Sequence, residues 1–156
     1  MIRLESILTP GRSLVNVPGG SKKKALEQIA NLIAREVPGL EMQDVFEALI
    51  AREKLGSTGF GNGIAIPHGK LAGVKRITGV FARLETPIDF EALDDQPVDL
   101  VFLLLAPEGA GADHLKALSR IARVLRDPET VAKIRGTKDA AAIHAFLSST
   151  PTSHAA

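Results

Sequence analysis

The stretch Gly56–Lys70, GSTGFGNGIAIPHGK, sets glycines at 56, 59, 61 and 63 ahead of Pro67-His68-Gly69. Glycine tolerates positive φ and close backbone approach but carries the largest ordering cost of any residue, so this clustering marks a shaped loop. Proline does the reverse: it fixes its own φ, donates no N–H and holds Ile66 extended. The combination presents the imidazole of His68 at the surface in one orientation, as a specially placed titratable group at a functional site would be.

Two nucleotide-binding readings fail on spacing. A phosphate-cradling loop needs four residues between its first glycine and a Gly-Lys pair, then Ser or Thr; Gly63 to Gly69 encloses five, and Leu71 follows Lys70. The dinucleotide fingerprint Gly-x-Gly-x-x-Gly follows a strand, whereas Gly59, Gly61 and Gly63 follow a helical pattern and are one residue short. Histidine chemistry remains. Of the four histidines, His144 reads as a solvent-exposed position on the last helix, and His154 falls in the tail. His114 opens a helix, where an isolated histidine is more often structural, and His68 alone has the loop built around it. Metal ligation has little support without cysteine, H-x-x-x-H or H-E-x-x-H. General acid–base work would call for a nucleophile or polar pocket, and the loop offers only Ser57, Thr58 and Asn62. A nucleophilic histidine needs less: a neutral ring, a partner on one nitrogen, and donors or cations to meet an incoming phosphoryl group. Arg52, the loop's backbone N–H groups and His114 are candidates for those donors.

The 156 residues form one domain by size, residues 1–150, with the polar tail 151–156 expected to be disordered. No Cys, Trp or Tyr is present, so disulfide and thiolate chemistry are excluded, and the core must be aliphatic with a few Phe. Nineteen Lys and Arg against 18 Asp and Glu leave a formal charge of +1, which gives no electrostatic footprint for nucleic acid. No apolar run is long enough for a transmembrane segment or a leader, so the expected location is the cytoplasm.

The elements that must carry the site follow from periodicity. Val15-Asn16-Val17 is extended and stops at Pro18-Gly19-Gly20. Ser21 then caps a helix with Leu26, Ile29, Ala30, Ile33 and Val37 on one stripe, ended by Pro38-Gly39. A second helix runs from Gln43 with Val45, Phe46, Leu49 and Ile50 inward, puts Arg52 in its last turn and stops at Gly56. Thr78–Leu84 and the almost wholly apolar Val98–Ala106 read as strands, the second covered on both faces. After Gly109–Gly111, Asp113 can cap a helix with Leu115, Leu118, Ala122 and Leu125 inward; Asp127-Pro128 opens a short helix closed at Gly136, and Lys138–Leu147 makes the last. The fold class is α/β, layered: a mixed sheet flanked by helices on both sides.

Arg52-Glu53-Lys54, Gly56-Ser57-Thr58-Gly59 and Gly61-Asn62-Gly63-Ile64-Ala65-Ile66-Pro67-His68-Gly69-Lys70 closely resemble the active-site stretch of the enzyme IIA proteins of the bacterial phosphotransferase system, mannitol/fructose class. Leu84–Ile88, Gln96–Leu100, His114-Leu115 and Leu118-Ser119 extend the likeness from Ser21 to Arg126, and within the class it is greatest to the nitrogen-related regulatory branch. The resemblance implies that His68 accepts a phosphoryl group from a histidine phosphocarrier protein, that His114 and Arg52 lie near that group, and that Ser57, Thr58 and Gly69 belong to the loop contacting it. It implies in-line transfer without cofactor or metal, and an output through regulated target proteins such as sensor kinases or transporters. Two other readings stand beside it: a sugar-specific component passing the group to a fructose- or mannitol-type permease, and a module that binds an anion without a covalent step. Phe60, the largest apolar residue of the loop, is expected to stay partly exposed beside His68 as a docking contact.

Overall fold

The computed structural model describes residues 4–148, so the expected tail and His154 lie outside the described residues. In chain order the elements are α1 (Leu4–Ile7), a 3-10 turn (Pro10–Arg12), β1 (Ser13–Val17), α2 (Lys22–Glu36), α3 (Met42–Lys54), β2 (Gly59–Gly61), β3 (Ile64–Ala65) and β4 (His68–Lys70). There follow β5 (Thr78–Ile88), β6 (Val98–Ala106), α4 (Ala112–Arg126), α5 (Pro128–Gly136) and α6 (Ala140–Ser148). The strands make one six-stranded mixed sheet ordered β1-β5-β6-β3-β2, with β4 also paired to β6.

β6 is the centre of the molecule. Its side chains alternate as strand geometry requires: Val101, Leu103 and Leu105 join the core under α2 and α3, while Leu100, Phe102 and Leu104 join the core under α1, α4, α5 and α6. All six are fully buried, which is why this run reads as apolar throughout. β5 pairs antiparallel along it, and its pairing shifts register between Arg83 and Ile88. That irregularity spans Pro87, which has no N–H to donate, and carries the strand past the expected end at Leu84.

The other edge of β6 positions the site. β3 and β4 both run parallel to it and in one continuous register, Ile64 opposite Leu100, Ala65 opposite Val101, then His68 opposite Leu104. They are one strand interrupted at Ile66-Pro67, where proline cannot donate, yet the Pro67 carbonyl still accepts from Leu104 N–H at 2.9 Å. The glycine stretch is thus built of three short strands where the sequence suggested a loop. β2 and β3 form a hairpin across Asn62-Gly63, both with positive φ (57° and 79°), the pair that a two-residue turn of this hand demands. α5 clamps that turn: the Arg135 guanidinium donates to Asn62 O at 2.8 Å and forks onto Asp99 at 2.7 and 3.1 Å.

The two large helices under the first face form as expected. Ser21 Oγ accepts from Lys24 N–H at 3.1 Å to cap α2, and Leu26, Ile29, Ala30 and Ile33 are buried. In α3, Val45 and Leu49 are buried, while Phe46 and Ile50 are only partly so. α4 departs in register. It begins one residue ahead of Asp113, with Gly111 at the cap and no side-chain capping bond. Its inward stripe is His114, Ala117, Ile121, Val124 and Leu125, so Leu115, expected inward, is 65 % exposed. The spacing of the four aliphatic residues that follow fixes the helix rotation, and that rotation gives the first inward position to His114.

A Cβ on Gly63 would meet the Arg135 guanidinium and Asp99 Oδ1, at a φ that L side chains rarely adopt. Gly63→Ala should therefore cost roughly 1–3 kcal/mol of unfolding free energy by chemical denaturation, and Gly136→Ala, whose Cβ would have open space, should cost far less.

Candidate functional site

His68 opens β4 immediately after the Pro67 break, half-buried, with each ring nitrogen already engaged. Nδ1 lies 2.8 Å from Ile66 O, and Nε2 lies 3.2 Å from Arg52 Nε. These partners settle the tautomer. A carbonyl only accepts, so Nδ1 carries the proton; a guanidinium only donates, so Nε2 presents its lone pair. Arg52, in the last turn of α3, also donates through a terminal nitrogen to Gly56 O at 2.9 Å, which holds the guanidinium along the rim of the site.

The first turn of α4 delivers His114. Its ring centroid is 5.5 Å from that of His68, the planes tilted by 53°. His114 is 7 % exposed, and its Nδ1 is a buried atom without a hydrogen-bond partner, a costly state for a core residue. The rotation of α4 that turns Leu115 outward is what aims this ring at His68.

Burial lowers the pKa of His68 below the ordinary histidine value. The hydrogen bond to Ile66 O opposes the shift, Arg52 adds to it, and the Glu53 carboxylate opposes it. His114 is lowered as well, first by burial, then by His68 and by Lys70. Both rings are therefore neutral at neutral pH, and the pair with Arg52 offers a nucleophilic nitrogen beside cationic and neutral donors.

The remaining expected residues are distributed as follows. Ser57 Oγ donates to Phe90 O at 2.7 Å and accepts from Gly59 N–H at 3.1 Å, while the Thr58 hydroxyl donates to Glu53, so both hydroxyls have partners within the protein. Gly69 lies in β4 against Ala48 of α3. Phe60 is intermediate: partly exposed, it packs against the second core with the Arg126 guanidinium 5.9 Å above its ring. His144 is not a free surface residue, because α6 packs beside α1 and its ring donates to Leu8 O at 2.9 Å. Among the described residues no three His, Asp or Glu side chains come together as metal ligands would, and no helix is long and apolar enough to cross a membrane.

Sequence reasoning missed two supports of the site. The Asn62-Gly63 hairpin was readable, since that dipeptide is the strongest short-range hairpin signal. Glu53 was not: a glutamate near a helix end reads as solvated, yet its side chain is 4 % exposed, accepting from Thr58 N–H at 3.1 Å and pairing with Lys22 Nζ at 3.0 Å.

Residues 6–150 match the family described as "Phosphoenolpyruvate-dependent sugar phosphotransferase system, EIIA 2". A nitrogen regulatory protein of Pseudomonas aeruginosa is 58% identical over 147 residues, covering 94% of this chain and 96% of its own length. One from Bradyrhizobium diazoefficiens is 53% identical over 152 residues, covering 97% and 99%. Among solved structures, the nitrogen regulatory protein IIA-Ntr from Neisseria meningitidis superimposes with a TM-score of 0.87 at 42% identity, covering 92% of this chain and 98% of that one.

In a titration followed by NMR, His68 should have its midpoint below 6.5, and Arg52→Ala should raise it while leaving it depressed, since burial is the larger cause. Because the folded state resists protonating His68 and His114 more than the unfolded chain does, their contribution to stability is complete above about pH 6.5. It should be lost as the pH falls through the lower folded values.

Proposed function

Since this chain belongs to the EIIA type-2 family of the phosphotransferase system, and is therefore a phosphotransfer component, we propose that it carries a phosphoryl group on Nε2 of His68. The donor is a histidine phosphocarrier protein, and the output is regulation of target proteins according to phosphorylation state. The observation that carries this reading is the forced tautomer of His68, which leaves Nε2 as the one basic nitrogen on a ring held by Ile66 O and Arg52.

The step balances between two imidazoles. The Nε2 lone pair attacks phosphorus in line, the P–N bond of the donor phosphohistidine breaks, and its electron pair returns to the donor ring. The Nδ1 proton stays in place, and Ile66 O meets the positive charge that develops on the ring. Arg52 gives up its bond to Nε2 and turns its donors to the phosphoryl oxygens, for which its planar fork is suited. His114 supplies a further donor from the opposite side. Loop residues 57 and 69 contribute through their backbone, whereas both Thr58 donors are held by Glu53 and Thr58 acts by shaping the loop. The acquired charge of about −2 near neutral pH changes which partner surfaces can approach, by local electrostatics alone.

Relatives named nitrogen regulatory protein, matched over nearly their whole lengths, favour regulation over delivery to a sugar permease. Targets of the kind expected are sensor kinases or transporters.

Incubation with the phosphocarrier and its own phosphoryl-donor enzyme should add one phosphoryl group by intact mass. The adduct should be acid-labile, and NMR should assign it to Nε2. His68→Ala should gain nothing, His114→Ala should still be labelled but more slowly, and Arg52→Lys should slow transfer on the order of tenfold or more while the melting temperature holds. Failure of the wild-type protein to gain mass would return the non-covalent anion-binding reading.

A further inference from the structure

We propose that Glu53 is a positioning residue for phosphoryl transfer: held by Lys22, it closes the segment after α3 so that the Gly56 carbonyl stations Arg52 against His68. This rests on the reading of His68 as the phosphoryl acceptor.

The geometry is a closed ring of contacts. Glu53 stands beside Arg52 on the last turn of α3, but its carboxylate turns inward and takes both Thr58 donors, the backbone N–H at 3.1 Å and the hydroxyl. That pins residues 53 to 58 into a short loop whose base is already tied by Leu55 N–H to Arg52 O and by Gly56 N–H to Glu53 O, both at 3.1 Å. Gly56 sits inside the pinned loop with a φ of 150° and open space within 4 Å of where a Cβ would be, so no side-chain packing anchors this residue. Yet that carbonyl is the acceptor that holds Arg52, 2.9 Å from its guanidinium. The constraint on Gly56 therefore comes from the two ends of the loop, and Glu53 makes one end hold the other.

Lys22 makes this arrangement stable. A carboxylate buried this far needs a compensating charge, and Lys22 Nζ supplies it at 3.0 Å from the first turn of α2. Lys22 is itself seated 4.8 Å above the Phe90 ring, whose backbone carbonyl takes the Ser57 hydroxyl. The loop is thus gripped on Ser57 and on Thr58 from one patch. A helix-end glutamate with only a packing role would need none of this convergence on the residue that touches Nε2.

The test uses Glu53→Gln, whose amide keeps the shape but cannot accept from both Thr58 donors while facing Lys22. Thr58→Val, which deletes only the hydroxyl, serves as the milder variant should Glu53→Gln fold poorly. In protein labelled with 15N-histidine, each variant should move the His68 Nε2 resonance toward its position in Arg52→Ala, as expected where that nitrogen loses its donor. Transfer from the phosphorylated carrier should slow roughly tenfold in kcat for Glu53→Gln with KM unchanged, and the further slowing in an Arg52→Ala background should be less than about twofold, because the two residues act as one unit. An unmoved Nε2 resonance in a folded variant, or equal slowing in both backgrounds, would overturn the proposal. The resonance is read without any phosphoryl donor, so it decides this point even if the wild-type chain accepts no phosphoryl group.

Discussion

The structure turns on the parallel pairing of residues 64 to 70 against β6. β6 is buried on both faces and cannot slip without carrying its apolar side chains into the wrong core. Whatever pairs with it in register is therefore fixed to within the tolerance of the core itself. Placing the His68 ring one residue past the only non-donating position of residues 64 to 70 combines rigidity with access. The backbone on either side is hydrogen-bonded, and the break at Ile66-Pro67 frees Ile66 O to accept a hydrogen bond from the ring's Nδ1–H.

From that anchor the rest of the site is assembled by helix ends. α3 brings Arg52 and Glu53 on its last turn, α4 brings His114 on its first, and α5 reaches across with Arg135 to hold the hairpin that leads into the strand. Each helix is set by an aliphatic stripe that has no part in the chemistry. A guanidinium at the C-terminal end of α3 sits favourably in the helix dipole, so its place there is locally stable before His68 adds a contact. The desolvation that keeps both imidazoles neutral comes from the same packing.

Much of this was legible beforehand, and the omissions have physical causes. Long periodic segments and the two-sided strand Val98–Ala106 announce themselves because one side-chain period dominates each. His68 stood out because a run of glycines ending in Pro-His matches neither the helix nor the strand period of a core element. The short strands β2, β3 and β4 did not, since two or three residues cannot express a period, and their pairing partner lies far along the chain. Leu115 was misplaced because an apolar identity outweighed helix phase. His144 was read as solvated, and no role was assigned to Glu53, because their partners, Leu8 O, Thr58 and Lys22, are brought in by tertiary packing that no local pattern encodes.

Residues 64 to 70 and the strand they pair with are also separated in the order of synthesis. While residues 64 to 70 leave the ribosome, the strand they must pair with has not been made, and α4 with His114 comes later still. Parallel, non-local pairings of this sort form late, because the intervening loop must close before any contact rewards it. A nascent or partly refolded chain therefore holds His68 without its register, its tautomer or its neighbours. The arrangement around His68 arrives only with the completed sheet, which makes its geometry a sentinel of finished folding.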